Sequence, residues 1–219
     1  MSKLVWDQTG ERLFETGISN AVLYPMVDGK YPQGVAWNGL TGFTAKPSGA
    51  EPTSHWADNI EYLNIMGSEK FGATIEAFMY PDEFAECNGM KEIAKGVKAG
   101  QQRRRPFGFV CKSILGNDTD GVDYGYKLHI VYGGLAAASE SGYKTTSEDV
   151  EPNTMSWEVS TTPVTVAGCR PTSHLEITST NCDPDKLASL EAILFGSEEA
   201  EARLPLPDEI VTILGAVEA

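Results

Sequence analysis

Three stretches of the chain alternate apolar and polar residues with a period of two. Ala73, Ile75, Ala77 and Met79 interleave with Thr74 and Glu76 between Phe71 and Tyr80. Tyr126, Leu128, Ile130 and Tyr132 interleave with Lys127 and His129. Met155, Trp157 and Val159 interleave with Ser156, Glu158 and Ser160. Successive strand side chains point to opposite faces, so each stretch predicts a strand with one apolar and one wet face. Phe107 to Leu115 predicts a fourth strand, joined to the next by the turn-forming Asn117–Gly121. His174–Thr178 predicts a shorter one, and residues 19–26 end in a β candidate, Val22-Leu23-Tyr24, closed by Pro25. Residues 1–18 are polar and read as a hairpin or an arm.

Near the C-terminus the period changes. Asp183, Pro184 and Asp185 supply a cap, a first-turn proline and a first-turn acid; Leu187, Leu190, Ile193 and Leu194 form one stripe, and Gly196 ends it. A second helix is predicted after Pro207, through Ile210, Val211, Ile213 and Leu214, and a short turn of helix at Asp82–Glu86. The helical segment thus covers about 184–215, and a one-sided apolar stripe needs a sheet to cover. Residues 27–56, rich in Gly, Pro, Ser and Thr, read as a long loop. Its Trp37, Phe43 and Trp56 are too apolar for a free linker, so the loop is expected to touch another subunit. The expected fold is mainly β with flanking helices, in one domain over residues 1–219.

Composition narrows the partners. The formal net charge is −14, and residues 134–219 hold 15 acidic but only 4 basic side chains. Such a surface disfavours wrapping nucleic acid, which needs lysine and arginine against phosphate, and disfavours anionic membranes. It remains compatible with DNA passing an acidic wall without sticking. Cys87, Cys111, Cys169 and Cys182 form no C-x-x-C pair and read as reduced, buried thiols. No signal peptide and no membrane-length apolar run is apparent, so folding in a cytoplasm is expected.

Catalytic signatures are sparse. There is no G-x-S-x-G elbow. Gly116 and Gly121 have phosphate-loop spacing, but Val122 and Asp123 stand where lysine and Ser/Thr are required. Asp118, Asp120 and Asp123 lack the glutamate that ends a calcium loop, since His129 occupies that position. His55, His129 and His174 are far apart in sequence, without zinc spacing. Asp82, Glu83 and Glu86 fit a solvated helix start better than an acid–base pair. No cofactor, metal or enzymatic activity is expected. The run Arg103-Arg104-Arg105 reads either as contact with a neighbouring acidic subunit or as plain solvated surface.

Several stretches in order resemble the major tail tube proteins of long, non-contractile phage tails, in phages of Gram-positive bacteria. They are Thr9-Gly10-Glu11 with Glu15-Thr16-Gly17, Gly34-Val35-Ala36-Trp37-Asn38-Gly39-Leu40, and Pro47-Ser48-Gly49-Ala50-Glu51-Pro52. Ala57-Asp58-Asn59-Ile60 with Tyr62-Leu63, Glu76-Ala77-Phe78 with Tyr80-Pro81-Asp82-Glu83-Phe84, and Gly116-Asn117-Asp118 with Gly125-Tyr126-Lys127-Leu128 follow. Trp157-Glu158-Val159 with Thr161-Thr162-Pro163, and Leu204-Pro205-Leu206-Pro207-Asp208, complete the set, which spans most of the chain.

The resemblance implies a β-sandwich with a flanking helix and strands that join across subunits into a barrel within a hexameric ring. Rings would stack into a hollow tube that conducts the genome, with tape-measure and other tail proteins as partners, in a virion assembled in the host cytoplasm. On this expectation Trp37, Phe43, Pro47, Glu51 and Trp56 make the inter-ring contact. Thr74, Glu76, Lys127, His129, Ser156, Glu158 and Ser160 are lumen candidates, and Arg103, Arg104 and Arg105 candidates for subunit contact. A contractile tail's inner tube would share the fold. A carbohydrate-binding, adhesin-like sandwich, using exposed Trp37 and Trp56, is the alternative; a hydrolase with an unrecognised site is a third.

Overall fold

A computed structural model describes residues 3–145 and 151–215; the remaining parts of the expected domain, 1–2, 146–150 and 216–219, lie outside it. The strands are β1 (Phe14–Pro25), β2 (Val35–Ala36), β3 (Leu40–Ala45), β4 (Pro52–Ala57), β5 (Ile60–Met66), β6 (Gly72–Ala77), β7 (Lys91–Ala94), β8 (Val97–Ala99), β9 (Phe107–Asn117), β10 (Gly121–Ala136), β11 (Met155–Thr161) and β12 (His174–Thr178). The helices are α1 (Phe84–Cys87), α2 (Pro184–Phe195) and α3 (Pro207–Leu214). Eight strands form one antiparallel sheet in the order β2-β1-β9-β10-β11-β6-β3, with β12 also paired to β10. β4–β5 and β7–β8 form separate hairpins.

The sheet folds back on itself because β10 changes partners midway. Residues 127–131 pair with β12, and residues 134–136 pair with β11. Between them Gly133 sits at φ 59, where a β-carbon would collide with Thr162 O, so the bend requires glycine. Leu23, Phe109, Cys111 and Val131 of one half therefore face Ile75, Trp157 and Val159 of the other, with Phe43 packed alongside. Trp37, Phe84 and Trp157 cluster at one end of this interior with ring centroids 4.5–5.5 Å apart. Burying each such side chain contributes about 2–3 kcal/mol.

The reverse face of β1, β9 and β10 lies under the helices. Val22, Tyr24, Val110, Leu128, Ile130 and Tyr132 pack against Leu187, Leu190 and Leu194 of α2 and Ile210 of α3. The sequence dictates this element closely. Asp183 caps α2, accepting from the backbone N–H of Asp185 (3.0 Å) and Lys186 (3.1 Å), and Pro184 opens the helix. The hydroxyls of Tyr24 and Tyr132 donate to Leu194 O and Pro205 O. Burial drives both phenol pKa values up, so both stay neutral donors.

The fold is thus mainly β, a sandwich flanked by helices, but several boundaries depart from expectation. Residues 27–56 are not one loop: β3 lies within the main sheet, and β4 is half of a hairpin. β1 begins well before residue 19, and its alternation is masked by register shifts near Gly17 (φ 61) and Asn20 (φ 52). Cys87 and Cys111 are buried, and burial pushes the Cys87 thiol up to about 12. Cys169, expected buried, is exposed.

Candidate assembly surfaces

β3 and β6 do not stop at the sandwich. Beyond Ala45 and Gly72 their pairing continues through a bridge between Ser48 and Lys70, each donating its N–H to the other's carbonyl (2.9 and 2.7 Å). It then runs on into β4 and β5, from Pro52 opposite Met66 to Ala57 opposite Ile60. The turn is Asp58-Asn59, both in the left-handed region (φ 51 and 65), as a tight two-residue hairpin needs. From Ala45 to Ala57 this ribbon reaches about 40 Å at the usual rise per residue. Every residue of β4 and β5 is exposed, including Trp56, Ile60, Tyr62, Leu63, Ile65 and Met66. Such an array of large apolar side chains on a projecting element marks an interaction surface.

The five residues expected to make inter-ring contacts separate accordingly. Trp56, Pro47 and Glu51 are exposed, on or beside the ribbon. Trp37 is only 2% exposed, its indole N–H donating to Met79 O (2.8 Å), and Phe43 is half-buried, its ring stacked on Phe109 at 5.8 Å. Trp37 therefore offers no surface, while Phe43 packs against the core and also lines the cleft at the mouth of the sandwich. Their aromatic size marked them as contacts in the sequence, whereas a Trp between turn residues can equally be the plug of a core.

The lumen candidates also divide. Thr44, Thr74 and Glu158 stand in register across β3, β6 and β11, and Gly42, Glu76 and Ser156 form the next row, so Thr74, Glu76, Ser156, Glu158 and Ser160 share the outer face of this half-sheet. Glu158 and Ser160 are exposed, but Thr74 is buried between its neighbours, its hydroxyl without a partner. Lys127 and His129 leave this set. Their strand is wet on its inward side, because its apolar side faces the helices.

There they join Glu15, Ser113, His174 and Glu176 at the mouth of the sandwich, in a cleft of about 630 Å³. Lys127 Nζ pairs with Glu15 and Glu176, both at 2.9 Å, which holds the lysine pKa up. Burial pulls the Glu15 pKa up, but hydrogen bonds from Ser113 and Lys127 outweigh it and hold the carboxyl below its ordinary range. Ser113 Oγ lies 2.8 Å from His129 Nε2 and donates to Glu15 Oε1 at 2.6 Å. With its proton given to a carboxylate, the hydroxyl accepts from the imidazole. That direction is the reverse of what an activated serine nucleophile requires. The nearest carboxylate oxygen to His129 Nδ1, on Glu176, is 4.0 Å away, too far for the orienting bond of a triad. The network cross-links β1, β9, β10 and β12.

Of the arginine run, only Arg103 is exposed. Arg104 donates to Asn88 Oδ1, Ala136 O and Ala137 O. Arg105 donates to Met26 O and pairs with Glu86 at 3.0 Å. These two staple the start of β9 to the rest of the sandwich, so the expectation of subunit contact passes from them to Arg103. Sequence reasoning missed the β7–β8 hairpin, where the only signal was Lys95-Gly96 between short apolar runs; Gly96 takes φ 77 at its turn.

Among the described residues no group of His, Cys, Asp and Glu is arranged to hold a metal ion, and no helix is long and apolar enough to cross a membrane. No family model matches the chain, and comparison with curated proteins finds no match.

Proposed function

We propose that this chain is a structural subunit that assembles with copies of itself into the hollow tube of a phage tail, as stacked hexameric rings through which the genome passes. The ribbon carries the proposal. A folded hairpin about 40 Å long that buries none of its large apolar side chains within its own chain is a docking element. The strand edges support it as well. β3 ends the sheet path, and β12 pairs only with β10 among the described strands. Edges of this kind are templates for pairing with another chain. In the tube, the outer face bearing Glu76, Ser156, Glu158 and Ser160 lines the lumen, where a wet surface lets DNA pass. Tape-measure and other tail proteins are the further partners, and the virion tail is the location. The alternative, a glycan-binding sandwich, loses one of its two aromatic platforms with the burial of Trp37.

Negative-stain electron microscopy over a concentration series tests the proposal. Hollow tubes or six-fold rings are expected. A monomer at every concentration would overturn it and make a glycan-binding screen the next experiment.

A further inference from the structure

The ribbon and the β7–β8 hairpin leave opposite ends of one strand. β6 runs from Gly72, where the ribbon departs, to Ala77, after which residues 78–83 and α1 lead into β7. The two appendages carry opposite charge. Between Pro47 and Glu69 stand four acidic residues, Glu51, Asp58, Glu61 and Glu69, and the ribbon's two lysines, Lys46 and Lys70, lie at its root. Between Asn88 and Arg105 stand six basic residues and one acid, Glu92. Within the basic segment, Lys98 is paired with Asp82 (2.7 Å), and Arg104 and Arg105 serve the chain's own fold. Lys91, Lys95 and Arg103 have no partner among the described residues and are exposed. Both appendages also present apolar side chains: Trp56, Ile60, Leu63 and Ile65 on the ribbon, Ile93 and Val97 on the hairpin.

We propose that the ribbon of one copy docks on the β7–β8 hairpin of a second copy, head to tail. Apolar side chains form the centre of this contact and the charges its rim, the usual anatomy of a protein interface. Because the ribbon precedes β6 and the hairpin follows it through α1, the contact joins two different surfaces and is heterologous. A head-to-tail contact of this kind closes into a ring or repeats without limit, and stacking uses the second. It also gives a partner to Lys91 and Lys95, the two lysines of the hairpin that have none among the described residues. The pairing rests on the tube proposal and specifies which surfaces meet between successive copies.

Charge reversal in the full-length chain tests it. Lys91→Glu with Lys95→Glu is expected to raise the concentration needed for tubes about tenfold or more, since like charges then face each other across the contact. Glu51→Lys with Glu61→Lys is expected to do the same. Combining all four substitutions restores opposite charges and is expected to restore assembly. Thermal melts show that each variant is folded. Salt gives an independent measure, because a charge-rimmed contact weakens as ionic strength rises. Wild-type assembly indifferent to salt overturns the pairing, as do charge-reversed variants that assemble normally or a combined variant no better than either half. Normal tubes from the Lys91/Lys95 variant, together with lost binding to duplex DNA, would assign the hairpin to nucleic acid and also overturn it. A wild-type chain that never assembles overturns the tube proposal itself, and the pairing with it.

Discussion

Phe71 and His174 stack face to face, their ring centroids 4.5 Å apart and their planes inclined by 5°. His129 extends the column, at 5.8 Å and 6° from His174. Phe71 directly precedes β6 at the root of the ribbon, and Thr161 Oγ1 donates to its carbonyl. The column therefore fastens the ribbon's base to the sandwich interior. Burial, with His129 adding to it, lowers the His174 pKa below its ordinary 6.5, so the folded state favours neutral imidazole. The unfolded chain then binds the proton more readily. The stabilisation is fully present above pH 6.5 and is lost as pH falls through the lower, folded value. Melting temperature is expected to drop between neutral pH and about pH 5, and His174→Phe is expected to flatten that drop. Glu15 adds a separate loss at lower pH, below the ordinary carboxylate value of 4.5. An unchanged pH profile in the His174→Phe variant would remove the column from the account.

Trp37 and Trp56 give opposite outcomes from one substitution. Trp37 lies against Phe84, Phe109 and Trp157, so Trp37→Ala opens a cavity in the core and is expected to cost about 3–5 kcal/mol. Trp56 is 70% exposed at the far end of the ribbon, and Trp56→Ala is expected to change stability by no more than about 0.5 kcal/mol. Chemical denaturation measures both. Assembly should respond in the reverse sense: Trp56→Ala stays folded and fails to form long tubes.

The ribbon can be removed without touching the sandwich. Deleting residues 50–68 leaves Ser48 opposite Lys70, with Gly49 and Glu69 as a two-residue turn. Folded subunits that make no long tubes are expected, measured by thermal melting and electron microscopy. Normal tubes from this deletion would show that the ribbon is not the docking element. Deletion of residues 40–54, inside the segment that reads as a loop, would instead excise β3 and with it Phe43, and is expected to unfold the chain.

That difference shows where the sequence is legible. The strands at 72–77 and 155–161 declare themselves because one face is more deeply buried than the other, so period two survives in Ile75 and Trp157, whereas the strand at 107–117, buried on both faces, is legible from its apolar run. α2 is readable because cap, first-turn proline, stripe and terminal glycine all agree. The ribbon is hidden for the opposite reason. Nothing in the monomer buries either of its faces, so Thr53, Ser54, Ile65 and Met66 follow no core-facing alternation, and its Gly and Pro residues resemble a loop. β1 is half-hidden by its bulges. The mouth cluster was out of reach for another reason: Glu15, Ser113, His129 and Glu176 come from separate strands, and only the register between them brings their side chains together.

The arginine run makes a last, sharper test, because three adjacent identical side chains are given three different tasks. Arg104 donates to Ala136 O and Ala137 O, both at 3.1 Å, where β10 ends, and to Asn88 Oδ1 at 3.3 Å. Hydrogen bonds from a charged donor contribute about 1.5–3 kcal/mol, so Arg104→Ala is expected to destabilise by that order. Arg105→Ala removes a bond to Met26 O at 2.8 Å and a half-exposed pair with Glu86, and is expected to cost about 1–2 kcal/mol. Arg103→Ala is expected to stay within about 0.5 kcal/mol of wild type, since its side chain reaches solvent. Urea denaturation of the three variants gives the order directly. Equal effects at all three positions would mean that the run acts as undifferentiated surface charge, and that the start of β9 is held by its strand pairing alone.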